Sequence, residues 1–168
     1  MNLAIFAALL GLIGSSEALI GFGAEMYNPI CAFACRGSIS SAPLSCSQMK
    51  HGSGGHHGSS STSLQCYSQD TSFLTTLAYC ISTHCEGVEP WRLEQYWAVR
   101  AAGTSYEHVD PKWTYQQALA QVEGTPSRVV NTSQMLDFTG IADEKRYERS
   151  RGGSSYFEWQ ESLHSRYG

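Results

Sequence analysis

Histidine and cysteine are the two residue types whose spacing in this chain suggests chemistry. His51, His56 and His57 lie in the run Met49 to Ser61, MKHGSGGHHGSSS, which is otherwise mostly glycine and serine. Imidazole is a good ligand for Cu²⁺ and Ni²⁺. Glycine beside adjacent histidines lets a backbone wrap an ion without steric penalty. Entropy stands against a tight site. Nineteen residues separate Cys46 from Cys66, and ordering each backbone unit costs about 1–2 kcal/mol. The competing reading is a solvated loop tethered at its ends. An ion held there is bound weakly, and less so as pH falls through the imidazole pKa of about 6.5.

The six cysteines are Cys31, Cys35, Cys46, Cys66, Cys80 and Cys85, all within a third of the chain. An even, clustered count of this kind reads as a disulfide framework. A structural zinc site is the weaker reading, because the chain has no Cys-x2-Cys pair. Oxidised cysteines have no thiolate to act as a nucleophile, and no catalytic residue is assigned. Of the other histidines, His84 beside Cys85 reads as a packed or surface residue, His108 falls in a loop, and His164 lies near Gly168.

The elements that position the cysteines follow from periodicity and caps. Asn28-Pro29 can start a helix over Ile30 to Ile39, which places Cys31 and Cys35 on one face. Phe73 to Thr83 carries Phe73, Leu77, Cys80 and His84 at spacings of three and four, an amphipathic helix with Asp70 or Ser72 as cap. Cys85 falls just past its end. Two cysteine-bearing helices joined by a loop suggest an antiparallel hairpin. Six cysteines allow fifteen connectivities. The hairpin favours the nested one: Cys31–Cys85, Cys35–Cys80, and Cys46–Cys66 across the loop.

The expected fold class is therefore mainly α: a small disulfide-stapled helical domain, a hairpin plus further short helices, with long loops. Residues 27–85 form the six-cysteine module with its Gly/Ser/His loop at 47–65, and residues 86–168 form a helical extension. Pro90 to Ala102 and Lys112 to Glu123 read as helices, the second started by Asp110-Pro111 and stopped by Gly124. The aromatics Trp91, Tyr96, Trp97 and Trp113 are expected to pack against the hairpin. Arg128 to Asn131 reads as extended. Asn131-Thr132-Ser133 is an N-glycosylation acceptor. Ala142 to Arg151 reads as a solvated charged helix, broken by Gly152-Gly153 before a last amphipathic helix over Ser155 to Arg166.

Composition sets the compartment and excludes some partners. The 168 residues carry a formal net charge of −4. From Tyr27 to Cys85 the only charged residues are Arg36, Lys50 and Asp70. No basic patch stands out, so nucleic acid is not an expected partner. Leu3 to Ile13, LAIFAALLGLI, followed by Ser16-Glu17-Ala18, reads as a secretory signal peptide over residues 1–18. The alternative is an uncleaved anchor, although spanning a bilayer takes roughly 20 apolar residues.

Four stretches together resemble the extracytoplasmic N-terminal region of fungal ferric reductases, plasma-membrane flavocytochromes of the NADPH oxidase type. They are YNPICAFACRGSISSAPLSC (Tyr27 to Cys46), CYSQDTSFLTTLAYCISTHC (Cys66 to Cys85), PWRLEQYW (Pro90 to Trp97) and ESLHSRYG (Glu161 to Gly168). The resemblance covers nearly the whole mature chain but only the front of such an enzyme. It implies a domain on the outer face of the plasma membrane, attached through a membrane span beyond Gly168. It implies haem, FAD and NADPH in the full-length NADPH-dependent ferric-chelate reductase. None of these cofactors is expected in this chain, which has no Gly-rich dinucleotide motif. Expected partners are the membrane, and ferric chelates or copper and iron ions. The histidine loop and RSRGGSS (Arg149 to Ser155) depart from the family pattern. The alternatives from composition alone are a secreted cysteine-rich module that binds haem or a metal ion, and an inert cell-surface protein.

Overall fold

The computed structural model describes residues 28–49, 60–104 and 107–167. The expected leader at residues 1–18 and His51, His56 and His57 lie outside the described residues. The described chain is mainly helical, in the order α1 (Ile30–Ile39), β1 (Gln48–Met49), β2 (Ser60–Ser61), α2 (Leu64–Gln69), α3 (Thr71–His84), α4 (Pro90–Arg100), α5 (Tyr115–Ala120) and α6 (Glu144–Tyr167).

The centre is α3, whose apolar periodicity buries Phe73, Leu74, Leu77, Ala78, Cys80 and Ile81. Each large apolar side chain so buried contributes roughly 1.5–3 kcal/mol. Asp70 starts the helix, its carboxylate accepting the Phe73 N–H at 2.8 Å. α1 lies against α3 and presents small residues to it, with Ala32, Ala34, Cys35 and Ser38 buried beside Ile39. Pro29 rather than Asn28 occupies the N-cap position of α1, and no side chain caps that end.

The linker between Cys46 and α3 contains the short helix α2, which periodicity did not reveal. Ser63 caps it by accepting the Cys66 N–H at 3.1 Å. The base of the histidine loop is closed by the antiparallel β1–β2 ladder, Gln48 opposite Ser61 and Met49 opposite Ser60. Ser47 and Thr62 hydroxyls meet at 2.6 Å beside it.

α4 buries Leu93, Tyr96 and Trp97. The Tyr96 hydroxyl donates to the Ala32 carbonyl at 3.0 Å, and its ring meets Phe33 edge-on at 5.0 Å. The tryptophan helix thus packs on the cysteine hairpin, although Trp91 itself is exposed. α5 is shorter than the expected Lys112 to Glu123, and the reason is competition for backbone groups. The Trp113 carbonyl accepts the Trp97 indole N–H at 2.7 Å, and the Lys112 N–H donates to the Ser68 carbonyl at 3.0 Å. The helix therefore begins at a capping box formed by Thr114 and Gln117. At its other end the chain turns after Gln121, and Gly124 takes a positive φ of 65°.

Residues 128–142 return to α3 as a strap. Val129 bridges Ile141 in parallel, with Val130 N–H donating to Ile141 and Ile141 N–H to Arg128. Two buried threonines of α3 hold the strap: Thr75 meets the Thr139 hydroxyl at 2.8 Å, and Thr76 accepts the Gly140 N–H at 2.9 Å. The Thr75 hydroxyl also donates to the Thr71 carbonyl of its own helix at 2.8 Å, so the strap adds a partner to a buried hydroxyl that is already satisfied.

α6 corrects two expectations. It runs as one helix through Gly152 and Gly153. A helical glycine costs only about 1 kcal/mol relative to alanine, and a long cooperative ladder on both sides absorbs that. Its charged first half is also not simply solvated. Tyr147 is buried, and α6 packs against α1. The approach is close at Gly37, where a Cβ would collide with the Ser150 hydroxyl.

Candidate functional site

Three disulfides organise the molecule: Cys31–Cys85, Cys35–Cys80 and Cys46–Cys66, with Cα separations of 5.5, 5.7 and 5.7 Å. The first two join α1 to the end of α3. Cys85 lies one residue beyond that helix, so the spacing of five from Cys80 is reconciled with pairing to the same face of α1. The third closes the base of the histidine loop. All six cysteines are oxidised, so none offers a thiolate in this state.

Beside Cys35–Cys80 lies the densest chemistry among the described residues. The sulfurs of Cys35 and Cys80 and a ring nitrogen of His84 lie within 4.8 Å of one another. Cys80 and His84 are four apart on α3, so one turn stacks them. The His84 Nδ1 is 3.8 Å from Cys80 Sγ, 3.1 Å from the Cys80 carbonyl oxygen and 2.9 Å from the Thr83 hydroxyl. Its Nε2 faces the Glu144 carboxylate at 3.4 Å, and its ring lies 4.0 Å from that of Tyr147. His84 is thus half-buried where α3 meets the start of α6. The expectation of a packed histidine describes its ring. The Cys80–His84 spacing was visible in the sequence, whereas Glu144 and Tyr147, some sixty residues away, carried no signal.

Burial also shapes the phenols. It holds Tyr96 far above the usual tyrosine range, against the opposing pull of Arg36 and Arg100. Tyr115 is pushed up to about 12 by burial and by the Glu94 carboxylate. Tyr147 is raised by burial, partly offset by Arg151. The Tyr96 hydroxyl is structural, donating to the Ala32 carbonyl.

The remaining expected positions are surface features. Asn131 is exposed, and its side-chain oxygen accepts the Ser133 N–H at 3.0 Å. His108 is exposed in the loop after α4. The second half of α6 carries Tyr156, Phe157 and Trp159, with 54%, 49% and 57% of their surface exposed. No described helix is long and apolar enough to cross a membrane. Three closed disulfides are the mark of a protein that matures in an oxidising, extracytoplasmic compartment. No family model, curated protein or solved structure matches the chain.

Proposed function

We propose that this chain is the extracytoplasmic N-terminal cap domain of a ferric- or cupric-chelate reductase of the flavocytochrome type, itself non-catalytic. The observation that carries this reading is the division of labour in the fold. The two cysteine stretches and the tryptophan helix on which the resemblance rests share one core. The last helix, which ends in the fourth stretch, exposes tyrosine, phenylalanine and tryptophan in its second half. Aromatic side chains of this kind are favoured where protein meets the lipid headgroups. In this role the stapled domain sits over the outer mouth of a haem-bearing bundle and shapes access for the metal chelate. Haem, FAD and NADPH belong to the rest of such an enzyme.

The test is an immunoblot of fractionated native cells with an antibody raised against residues 27–85. A membrane-bound band several times larger than 18.4 kDa is expected, and antibody added to intact cells then slows surface reduction of a ferric chelate. A small band found only in the medium refutes the reading.

A further inference from the structure

We infer that Cys35, Cys80 and His84 form, when the two cysteines are reduced, a Cys₂His site for Zn²⁺. The metal and the Cys35–Cys80 disulfide are then mutually exclusive closures of the same α1–α3 junction. Every newly made chain passes through that dithiol state, and a monothiol reductant regenerates it. Two reductant thiols become one disulfide while the Cys35–Cys80 bond takes up two electrons and two protons. Zinc then displaces both thiol protons to solvent.

Three features carry the inference. The first is the donor triangle, which one ion can span once the sulfurs part. Zinc–sulfur bonds of about 2.3 Å and zinc–nitrogen bonds of about 2.0 Å place tetrahedral sulfur and nitrogen ligands about 3.5 Å apart. Cys80 Sγ and His84 Nδ1 already stand at 3.8 Å. The two sulfurs must open to about 3.8 Å, and rotation about χ1 separates them while the Cα atoms stay 5.7 Å apart. The second is the orientation of the imidazole. With Nε2–H donating to Glu144, the Nδ1 lone pair is left on the side of the sulfurs. A carboxylate behind the far nitrogen is how metal-bound histidines are held. The third is access. Both cysteines are buried, whereas the His84 side chain keeps 21% of its surface exposed, so the junction is open to solvent from the histidine side. On binding, the ion replaces the Thr83 hydroxyl, which can donate to the Nδ1 lone pair at 2.9 Å, as the partner of Nδ1.

The test uses the full chain in a phosphine reductant, with Co²⁺ as the spectroscopic probe and Zn²⁺ as competitor. The expected result is a thiolate-to-cobalt charge-transfer band with tetrahedral ligand-field bands. Cys46→Ser with Cys66→Ser keeps them. Glu144→Gln weakens Zn²⁺ binding by about 10–100-fold, the usual loss when such a carboxylate is removed, and His84→Ala weakens it further and changes the ligand-field bands. A spectrum indifferent to His84→Ala, one lost with Cys46 and Cys66, or no spectrum at all overturns the site. A second measurement is independent of the variants: alkylation of the reduced chain mapped by mass spectrometry. Zinc should protect Cys35 and Cys80 over Cys46 and Cys66. Equal protection of all cysteines, or none, overturns the site as well.

Discussion

Removing Cys35–Cys80 or Cys31–Cys85 tests whether nested crosslinks act singly or together. Taken alone, Cys31–Cys85 closes a separation of 54 residues and Cys35–Cys80 one of 45. Loop-closure entropy then assigns each about 4 kcal/mol. The nesting changes that. With one bond intact, the other closes only a ring of nine residues, four from Cys31 to Cys35 and five from Cys80 to Cys85. The same relation gives about 2.6 kcal/mol for either bond removed singly. Once both are gone, the unfolded chain recovers the larger loop, shortened by Cys46–Cys66. The double removal should therefore exceed the sum of the single ones by about 1 kcal/mol. Packing separates the two singles, since Cys35 and Cys80 are wholly buried while Cys31 is partly exposed. Replacing Cys35 and Cys80 by alanine should cost about 1–2 kcal/mol more than replacing Cys31 and Cys85. The assay is urea unfolding of the chain and the three alanine variants, compared at equal m-value. A Cys31→Ala/Cys85→Ala cost near 4 kcal/mol, or strict additivity, refutes the ring argument.

Glu94 accepts the N–H groups of Tyr115 and Gln116 at 2.9 and 3.0 Å, so Glu94→Ala should destabilise by about 1–2 kcal/mol, whereas Glu94→Gln, which keeps one acceptor, should lose less; urea midpoints decide. Tyr96 and Tyr115 hold their protons more tightly folded than unfolded, so their contribution is whole below about pH 10 and is lost as pH rises toward the folded values. Stability followed by circular dichroism should fall above about pH 10 by up to 1.4 kcal/mol per pH unit for each tyrosine, with Tyr115→Phe flattening the slope; an unchanged slope in that variant contradicts the assignment. Gly37→Ala drives a methyl into Ser150 and should loosen α6 from α1, raising hydrogen exchange around Tyr147; Ser150→Gly in the same chain should restore protection, and exchange unaltered by Gly37→Ala removes the proposed close approach.

The helical class was legible because burial on one face leaves a period. Phe73, Leu77 and Cys80 declare α3, and Leu93, Tyr96 and Trp97 declare α4. Boundaries were less legible where a distant group competes for a backbone atom. Nothing near Trp113 announces that the indole of Trp97 takes its carbonyl, yet that bond delays α5 to Tyr115. Gly152-Gly153 was misleading for the opposite reason. Glycine permits a break but requires one only where φ must be positive, as at Gly87 and Gly124.

The candidate site shows the same limit more sharply. Cys80 and His84 sit four apart, so any helix through them stacks a sulfur and an imidazole on one face. That much is local. Whether the imidazole is a ligand or a packed ring depends on what lies behind its other nitrogen. In this fold that is Glu144, from the helix that also carries Tyr147 under the ring. Glu144 looked like one charge among many in a solvated run, because a carboxylate at the start of a helix needs no partner to be stable there. Only the docking of α6 on α1, allowed by the absence of a side chain at Gly37, brings it to His84. The chemistry of this junction is therefore a tertiary property. It should weaken whenever α6 is displaced, even with Cys35, Cys80 and His84 all intact.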